Sequence, residues 1–421
     1  MAIRALITGV GLVSPFGTDP AAFRDALLGG RSGLTPITAF DVGACEARQA
    51  VLVRDFDATR WIPPMKLRRM DDTGRYAVVC ARQALADARI TIDADGRGDV
   101  GVVIGTCTAG GQSTSEYLGS LWAQGPVGAP ALLFNSTVAN APASLAALEH
   151  RLRGPNLTIT QKESSGLAAI TVAADLVASG RASAMIAGGV DAVYSVYFVV
   201  HDRFGVLAAA TRGGEVSRPF DAGRGGFVLG EGGYAMIVES PDAHRGRGGP
   251  APYAEVLGHA AGSEGVPINE WPRRPDSIGR VMRAALEDAT VDPRTVGALY
   301  ASANSTPGLD CVEAAAIATV FGDSPDLKVT SVKGSLGEAA SSGPASVLAA
   351  LFCGGQGSVG PIAGLNEPDR CASALPLVQD GPAEVGPIAM VNGISSGGAI
   401  TSLVLRVRPR ALEEASSTAQ V

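Results

Sequence analysis

The amino-acid sequence predicts an α/β protein made of two halves with one topology, and three observations carry that expectation. Arg75 to Ala88 places apolar residues at helical spacing and leads, after a polar turn, into the short apolar run Asp99 to Gly105. The same helix-then-strand pattern returns in the second half, where Met282 to Ala289 is followed by Val296 to Tyr300. A second echo keeps the same order. Ser164-Ser165-Gly166 opens one apolar helix and Ser341-Ser342-Gly343 opens another, each after a β-rich run (Leu157 to Thr160, Val329 to Ser331). Two echoes in one order indicate an internal duplication. Strands alternating with helices imply parallel sheets covered by helices.

Composition sets the outer bounds. The chain has 421 residues, 46% of them apolar and only 18% charged, which describes a heavily buried globular protein. Its net charge of -7 argues against nucleic acid as a partner, because phosphate backbones call for clustered Lys and Arg. The first residues alternate into a glycine turn and lack the charged start and apolar core of a signal peptide. No apolar run is long enough to span a bilayer, so a soluble cytoplasmic protein without a membrane partner is expected. The six cysteines (Cys45, Cys80, Cys107, Cys311, Cys353, Cys371) show no metal-ligand spacing and read as reduced thiols. Neither a metal nor a cofactor is expected. Residues 244–252, rich in Gly, Pro and charge, mark the seam, giving units at 1–245 and 253–411 and a polar tail at 412–421.

The stretch Leu157 to Ile170 is the most informative. A β-branched alternating run turns tightly into a long Ala/Val helix, an elbow that presents one side chain at a helix N-terminus. A nucleophilic enzyme would place Cys there, where the helix end favours a thiolate. This chain places Glu163 there. The plain reading of Glu163 is an anion capping its helix.

Gly154-Pro155-Asn156-Leu157-Thr158 leading into Ser164-Ser165-Gly166 resembles the active-site segment of the β-ketoacyl synthases, in which a Cys occupies the place of Glu163. The resemblance extends over nearly the whole chain and implies the thiolase fold, a five-layered α-β-α-β-α sandwich. It also implies three catalytic side chains, a Cys and two His. The first His run aligns with Ala301 to Thr306, with Ser302 in place of His; the second aligns with Lys333 to Glu338, with Glu338 in place of His and Lys333 retained. Near the C-terminus, Asn392 to Gly398 keeps the glycines of the family's loop but has Ile394 and Ser396 where Phe residues stand. No catalytic position is intact. A carboxylate at 163 would repel a malonyl carboxylate, and another at 338 would oppose an oxyanion. Ser164 or Ser165 would need an activating His that the runs lack.

A kept fold with a lost site is similar to the chain length factors, the ketosynthase β subunits of type II polyketide synthases, whose members commonly carry Gln where this chain has Glu163. That resemblance implies a heterodimer with a ketosynthase α subunit, and an acyl carrier protein presenting a phosphopantetheine-bound polyketide intermediate. It implies that Leu157, Thr158, Ile159 and Thr160 lie at the subunit interface. It implies further that the helix after Gly110-Gly111 faces the acyl tunnel. Alignment on Leu121-Trp122 makes Gly111, Thr114 and Leu118 the gating residues, and alignment on Gly110-Gly111 adds Gln112; ordinary packing is the plainer reading of all four. The basic run Lys66, Arg68, Arg69 with Arg75 is either a solvated face or a dock for an acidic carrier protein. Three functions remain open: a catalytically silent subunit, a malonyl-carrier decarboxylase or condensing enzyme with a remodelled site, and a homodimeric binding protein.

Overall fold

The structure, a computed structural model, describes residues 5–412. The expected tail therefore lies outside the described residues, apart from Leu412. Ten strands form one connected mixed sheet. In chain order they are β1 (Ala5–Val13), β2 (Val100–Gly105), β3 (Asn156–Ile159), β4 (Ala184–Asp191), β5 (Gly232–Glu239), β6 (Ala254–Ser263), β7 (Ala298–Tyr300), β8 (Lys328–Thr330), β9 (Ile388–Ile394) and β10 (Ala399–Val407). Across the sheet they run β8-β7-β9-β10-β6-β1-β5-β4-β2-β3.

The duplication is explicit in this order. The first half reads β1-β5-β4-β2-β3 and the second β6-β10-β9-β7-β8, so each strand occupies the place of the one five earlier. The pairing sense repeats too. β1/β5 and β5/β4 are antiparallel while β4/β2 and β2/β3 are parallel, and β6/β10, β10/β9, β9/β7 and β7/β8 follow suit. Each half is thus mixed, where the alternation of strands and helices predicted parallel sheets. Between β9 and β10 the reason is the connection, residues 395–398, too short for the crossover a parallel pair needs. The halves join where β1 meets β6 over Ala5 to Ile7.

Six helices matter here: α1 (Asp72–Asp87), α2 (Gly111–Gln124), α3 (Ser165–Ala178), α4 (Pro275–Ala289), α5 (Pro307–Phe321) and α6 (Ser342–Gly354). α1 covers the outer face of the first half and α4, backed by α5, that of the second. Both are amphipathic. α4 starts on Pro275 and buries Ile278, Val281, Met282, Ala285, Leu286 and Ala289, one helical stripe. α3 and α6 lie between the halves and are apolar on nearly all sides because protein surrounds them. Their first turns touch. A Cβ on Gly166 would stand 2.5 Å from the Ala340 carbonyl oxygen and 2.6 Å from Pro344 Cδ, so glycine is required there. The five layers implied by the resemblance are present.

The two ends of the sheet differ. β8 is covered by the chain itself, Val329 bonding Pro376 and Val378 at 3.0 Å each. β3 pairs with β2, and among the described residues no strand lies on its other side.

One sequence reading is corrected. Cys311 and Cys371 are joined as a disulfide, with Cα atoms 5.4 Å apart. The fold folds the loop after Asp369 back onto α5 across a separation of 60 residues, which spacing alone does not reveal. Cys45, Cys80 and Cys353 are buried thiols and Cys107 a half-buried one.

Candidate functional site

The elbow forms as the sequence indicates. β3 ends at Ile159, α3 begins at Ser165, and Lys162 between them adopts φ 52°, a left-handed conformation uncommon for a residue with a side chain. Glu163 follows, half-buried. It does not cap α3, which has no side-chain cap. Its carboxylate reaches instead to the loop between β9 and β10. There the Ser396 N–H donates to Oε2 at 2.9 Å, and the Ser396 hydroxyl lies 3.0 and 3.2 Å from the two oxygens. The cap reading fails because a short side chain folded back on its own helix loses to a backbone donor aimed from another element. Lys162 closes the arrangement, its Nζ donating to Asn269 Oδ1 at 2.5 Å and Ser396 Oγ at 3.1 Å.

Behind this layer stand the other predicted positions, all buried. Lys333 Nζ donates to the Ser302 carbonyl at 2.8 Å, to Ser302 Oγ at 3.2 Å and to Glu338 Oε2 at 2.8 Å. Asn304 Nδ2 donates to the same Glu338 oxygen at 2.6 Å, while Glu338 Oε1 has no hydrogen-bond partner. Burial pushes the Glu338 carboxyl up to about 7 against the pull of Lys333, and the charge of Glu163 pushes the same way. Ser302 takes its own place in the network. Its N–H donates to Glu313 at 3.0 Å, and the Ile394 N–H donates to its hydroxyl at 2.9 Å. The loop from Ile394 to Ser396 therefore links Ser302 on one side to Glu163 on the other.

The structure thus brings Glu163, Ser302, Lys333 and Glu338 into one site. A backbone N–H aimed at the end of the residue-163 side chain is the kind of donor that stabilises an oxyanion on an acyl group carried there. Here the Glu163 carboxylate takes it. The serines flanking Glu163 are equally engaged: Ser164 Oγ pairs with Ser395 Oγ at 2.7 Å, and Ser165 Oγ donates to the Lys162 carbonyl at 2.5 Å. His201 feels the charge of Glu163, but burial pushes its pKa below the usual value and its Nδ1 is held by the Tyr197 carbonyl at 2.8 Å. The site is a connected polar network, and neither Ser164 nor Ser165 is hydrogen-bonded to a histidine among the described residues.

The tunnel candidates lie elsewhere, on α2. Gly111 packs against Tyr194, where a Cβ would meet the hydroxyl at 1.9 Å. Gln112 approaches Glu116 at 3.4 Å, Thr114 donates to the Thr137 carbonyl at 3.1 Å, and Leu118 is half-buried. The surface around them is apolar and open: Trp122 is 79% exposed, Val127 100%, and Leu132, Phe134, Val200 and Phe204 are also exposed. Leu157, Thr158, Ile159 and Thr160 form the bare edge described above and its exit.

Five partners escaped the sequence reading: Ser396, Ser395, Asn304, Asn269 and Glu313. Only Ser396 carried a signal, as a small polar residue where the resemblance calls for Phe. Among the described residues one cluster has metal-ligand residue types, Cys311, Asp369 and Cys371, and its two sulfurs are bonded to each other.

Two duplicated half-sheets around a central helix pair, with the site at the helix starts, define a thiolase-fold protein of the ketosynthase kind. The chain matches the beta-ketoacyl synthase N-terminal domain over residues 4–243 and the C-terminal domain over residues 253–366. It belongs to the beta-ketoacyl synthase family. It is 31% identical to a 3-oxoacyl-[acyl-carrier-protein] synthase 2 of Coxiella burnetii, over 96% of this chain and 98% of that one. It is also 31% identical to the tetracenomycin polyketide synthase ketoacyl synthase beta subunit of Streptomyces glaucescens, over 95% and 98%. Among solved structures, the ishigamide ketosynthase/chain length factor superposes with a TM-score of 0.88 at 30% identity, covering 96% of this chain and 100% of that one. Among the described residues no helix is long and apolar enough to cross a membrane.

Proposed function

We propose that the chain is a non-catalytic subunit of the chain-length-factor type. It pairs with a ketosynthase and lines, through Gly111, Gln112, Thr114 and Leu118 on α2, the tunnel that holds the growing acyl chain. The observation that carries this reading is the state of the site. Glu163 occupies the Ser396 N–H that faces the elbow, and Lys333 pairs with Glu338 where a base or electrophile would stand. The beta-subunit relative and the ketosynthase/chain length factor structure support it.

Two surface features support the pairing. The bare edge of β3 presents unpaired backbone groups, which folded chains cover with a second strand or chain. The exposed apolar side chains of α2 and of residues 127–134 and 196–204 are of the kind that marks a protein interface. A carrier protein with a phosphopantetheine-bound intermediate is the further partner, and the Coxiella relative's name contains one. Arg68 and Arg69 are exposed and suited to it; Lys66 is paired with Glu149 and Arg75 with Asp72. Co-expression with a ketosynthase encoded beside this chain tests the pairing: a 1:1 complex on sizing with light scattering is expected. A stable monomer at micromolar concentration, indifferent to the ketosynthase, contradicts it.

A second reading, a condensing enzyme or decarboxylase with a remodelled site, is favoured by relatives named 3-oxoacyl-[acyl-carrier-protein] synthase 2, that of Coxiella burnetii among them. A condensing enzyme would carry an acyl adduct on this chain, and a decarboxylase would release CO2 from malonyl-loaded carrier protein without one.

A further inference from the structure

The Cys311–Cys371 pair is built around a buried cation. Arg224 has a side chain only 2% exposed. Its Nη2 stands 3.1 Å from Cys311 Sγ and 3.6 Å from Cys371 Sγ, while Nη1 donates to Asp369 Oδ2 at 2.7 Å and Nε lies 3.3 Å from Asp310 Oδ2. The Nε–H has no hydrogen-bond partner. Cys371 is exposed and Cys311 half-buried beneath it. A disulfide sulfur is a weak, neutral acceptor, so a guanidinium gains little from facing one. Facing a thiolate, the same N–H makes a charge-assisted bond. The same Nη2 donates to the Pro307 carbonyl at 3.2 Å and Nη1 to the Asp221 carbonyl at 2.7 Å, so the guanidinium is held in place beside the sulfurs and gains a charge-assisted bond when the pair is reduced.

We propose that Cys311–Cys371 is an exchangeable disulfide, a thiol-modification site at which Cys371 is attacked and Cys311 leaves against Arg224. The co-reactant is a small thiol of the glutathione class. Its thiolate forms a bond to Cys371 Sγ, and the Cys311–Cys371 bond breaks with its electron pair going to Cys311 Sγ. A second small thiol attacks the mixed disulfide at its own sulfur and releases Cys371. Two small thiols are oxidised to one disulfide, the protein pair is reduced by two electrons, and their two protons pass through solvent to the protein thiols. A cation beside the leaving sulfur speeds such exchange, because a stabilised thiolate leaves faster. The pair also sits one step from the site. Asp310, next to Cys311 on α5, holds the Asn304 N–H at 3.0 Å, and Asn304 holds Glu338.

The test uses the full purified chain in native buffer, equilibrated across mixtures of reduced and oxidised glutathione, quenched in acid, tagged with a maleimide and mapped by peptide mass. The expected result is reversible, paired tagging of Cys311 and Cys371, and glutathione trapped on Cys371 rather than Cys311. Cys45, Cys80 and Cys353 stay untagged until denaturation. Arg224→Lys loses the forked contact and should slow native-state reduction by roughly tenfold. The wild-type arm stands alone if that variant fails to fold. Tagging only in denaturant, glutathione on Cys311, two free thiols persisting in oxidised glutathione, or unchanged rates in a folded Arg224→Lys chain would each overturn the proposal.

Discussion

Glu163 holds a loop rather than a helix end. Removing it as Glu163→Ala frees the Ser396 N–H and breaks the tie between the elbow and the β9–β10 loop. Bonds to a charged group contribute roughly 1.5–3 kcal/mol, and partial exposure places this one at the lower end. A loss of about 1–2 kcal/mol in denaturant unfolding is expected. Product formation by an assembled complex should fall less than tenfold, since the chemistry is proposed to lie on the ketosynthase. Glu338 supplies a pH signature. Its carboxyl titrates at about 7 in the folded chain, raised by burial from an ordinary 4.5, as does that of Glu231. Between those limits the folded chain binds more protons than the unfolded one, so these groups make stability fall as pH rises through that window. Thermal unfolding from pH 4.5 to 7.5 should show this, and Glu338→Gln should make the slope shallower while the share of Glu231 and Asp310 remains; an unchanged slope would contradict the assignment. The identity of the residue at each family position was legible in the sequence, because motif spacing fixed it. What each side chain touches was not: Ser396 lies on the loop between β9 and β10 of the second half-sheet, and only the fold brings it to Glu163.

At the scale of elements, the elbow and the duplicated topology were legible because hydrophobic period and turn residues are local signals, and the five layers through the family resemblance. The antiparallel direction of β10 was missed although its short connection to β9 is local, and the Cys311–Cys371 pairing was not legible because it depends on how a segment 60 residues away returns. The contact of α3 with α6 gives one test. Gly166→Ala would drive a methyl into the Ala340 carbonyl at the heart of both halves, and overpacking at such a site costs roughly 1–3 kcal/mol. A clear drop in Tm is expected; an unchanged Tm would mean the two first turns are not in contact. On α2, Thr114→Phe and Leu118→Phe separate tunnel from packing. If the helix lines the tunnel, both shorten the product in an intact complex. Thr114→Val, which removes only the bond to the Thr137 carbonyl, should leave product length unchanged. Unchanged lengths in both Phe variants would remove α2 from length control.

For the whole molecule, the asymmetry between the two sheet ends is the main structural fact. The second half covers its edge with its own chain and the first half leaves β3 bare beside exposed apolar side chains. Among the described residues no strand covers the outer edge of β3, and an exposed strand edge of this kind suits the pairing with another chain proposed above. In the function proposed above, the partner chain brings the nucleophile. The most direct measurement is intact mass of both subunits after the co-purified complex has been incubated with an acyl donor and malonyl-loaded carrier protein. The account predicts an acyl adduct on the ketosynthase and none on this chain. An adduct on Ser164, Ser165 or any other residue of this chain would contradict it.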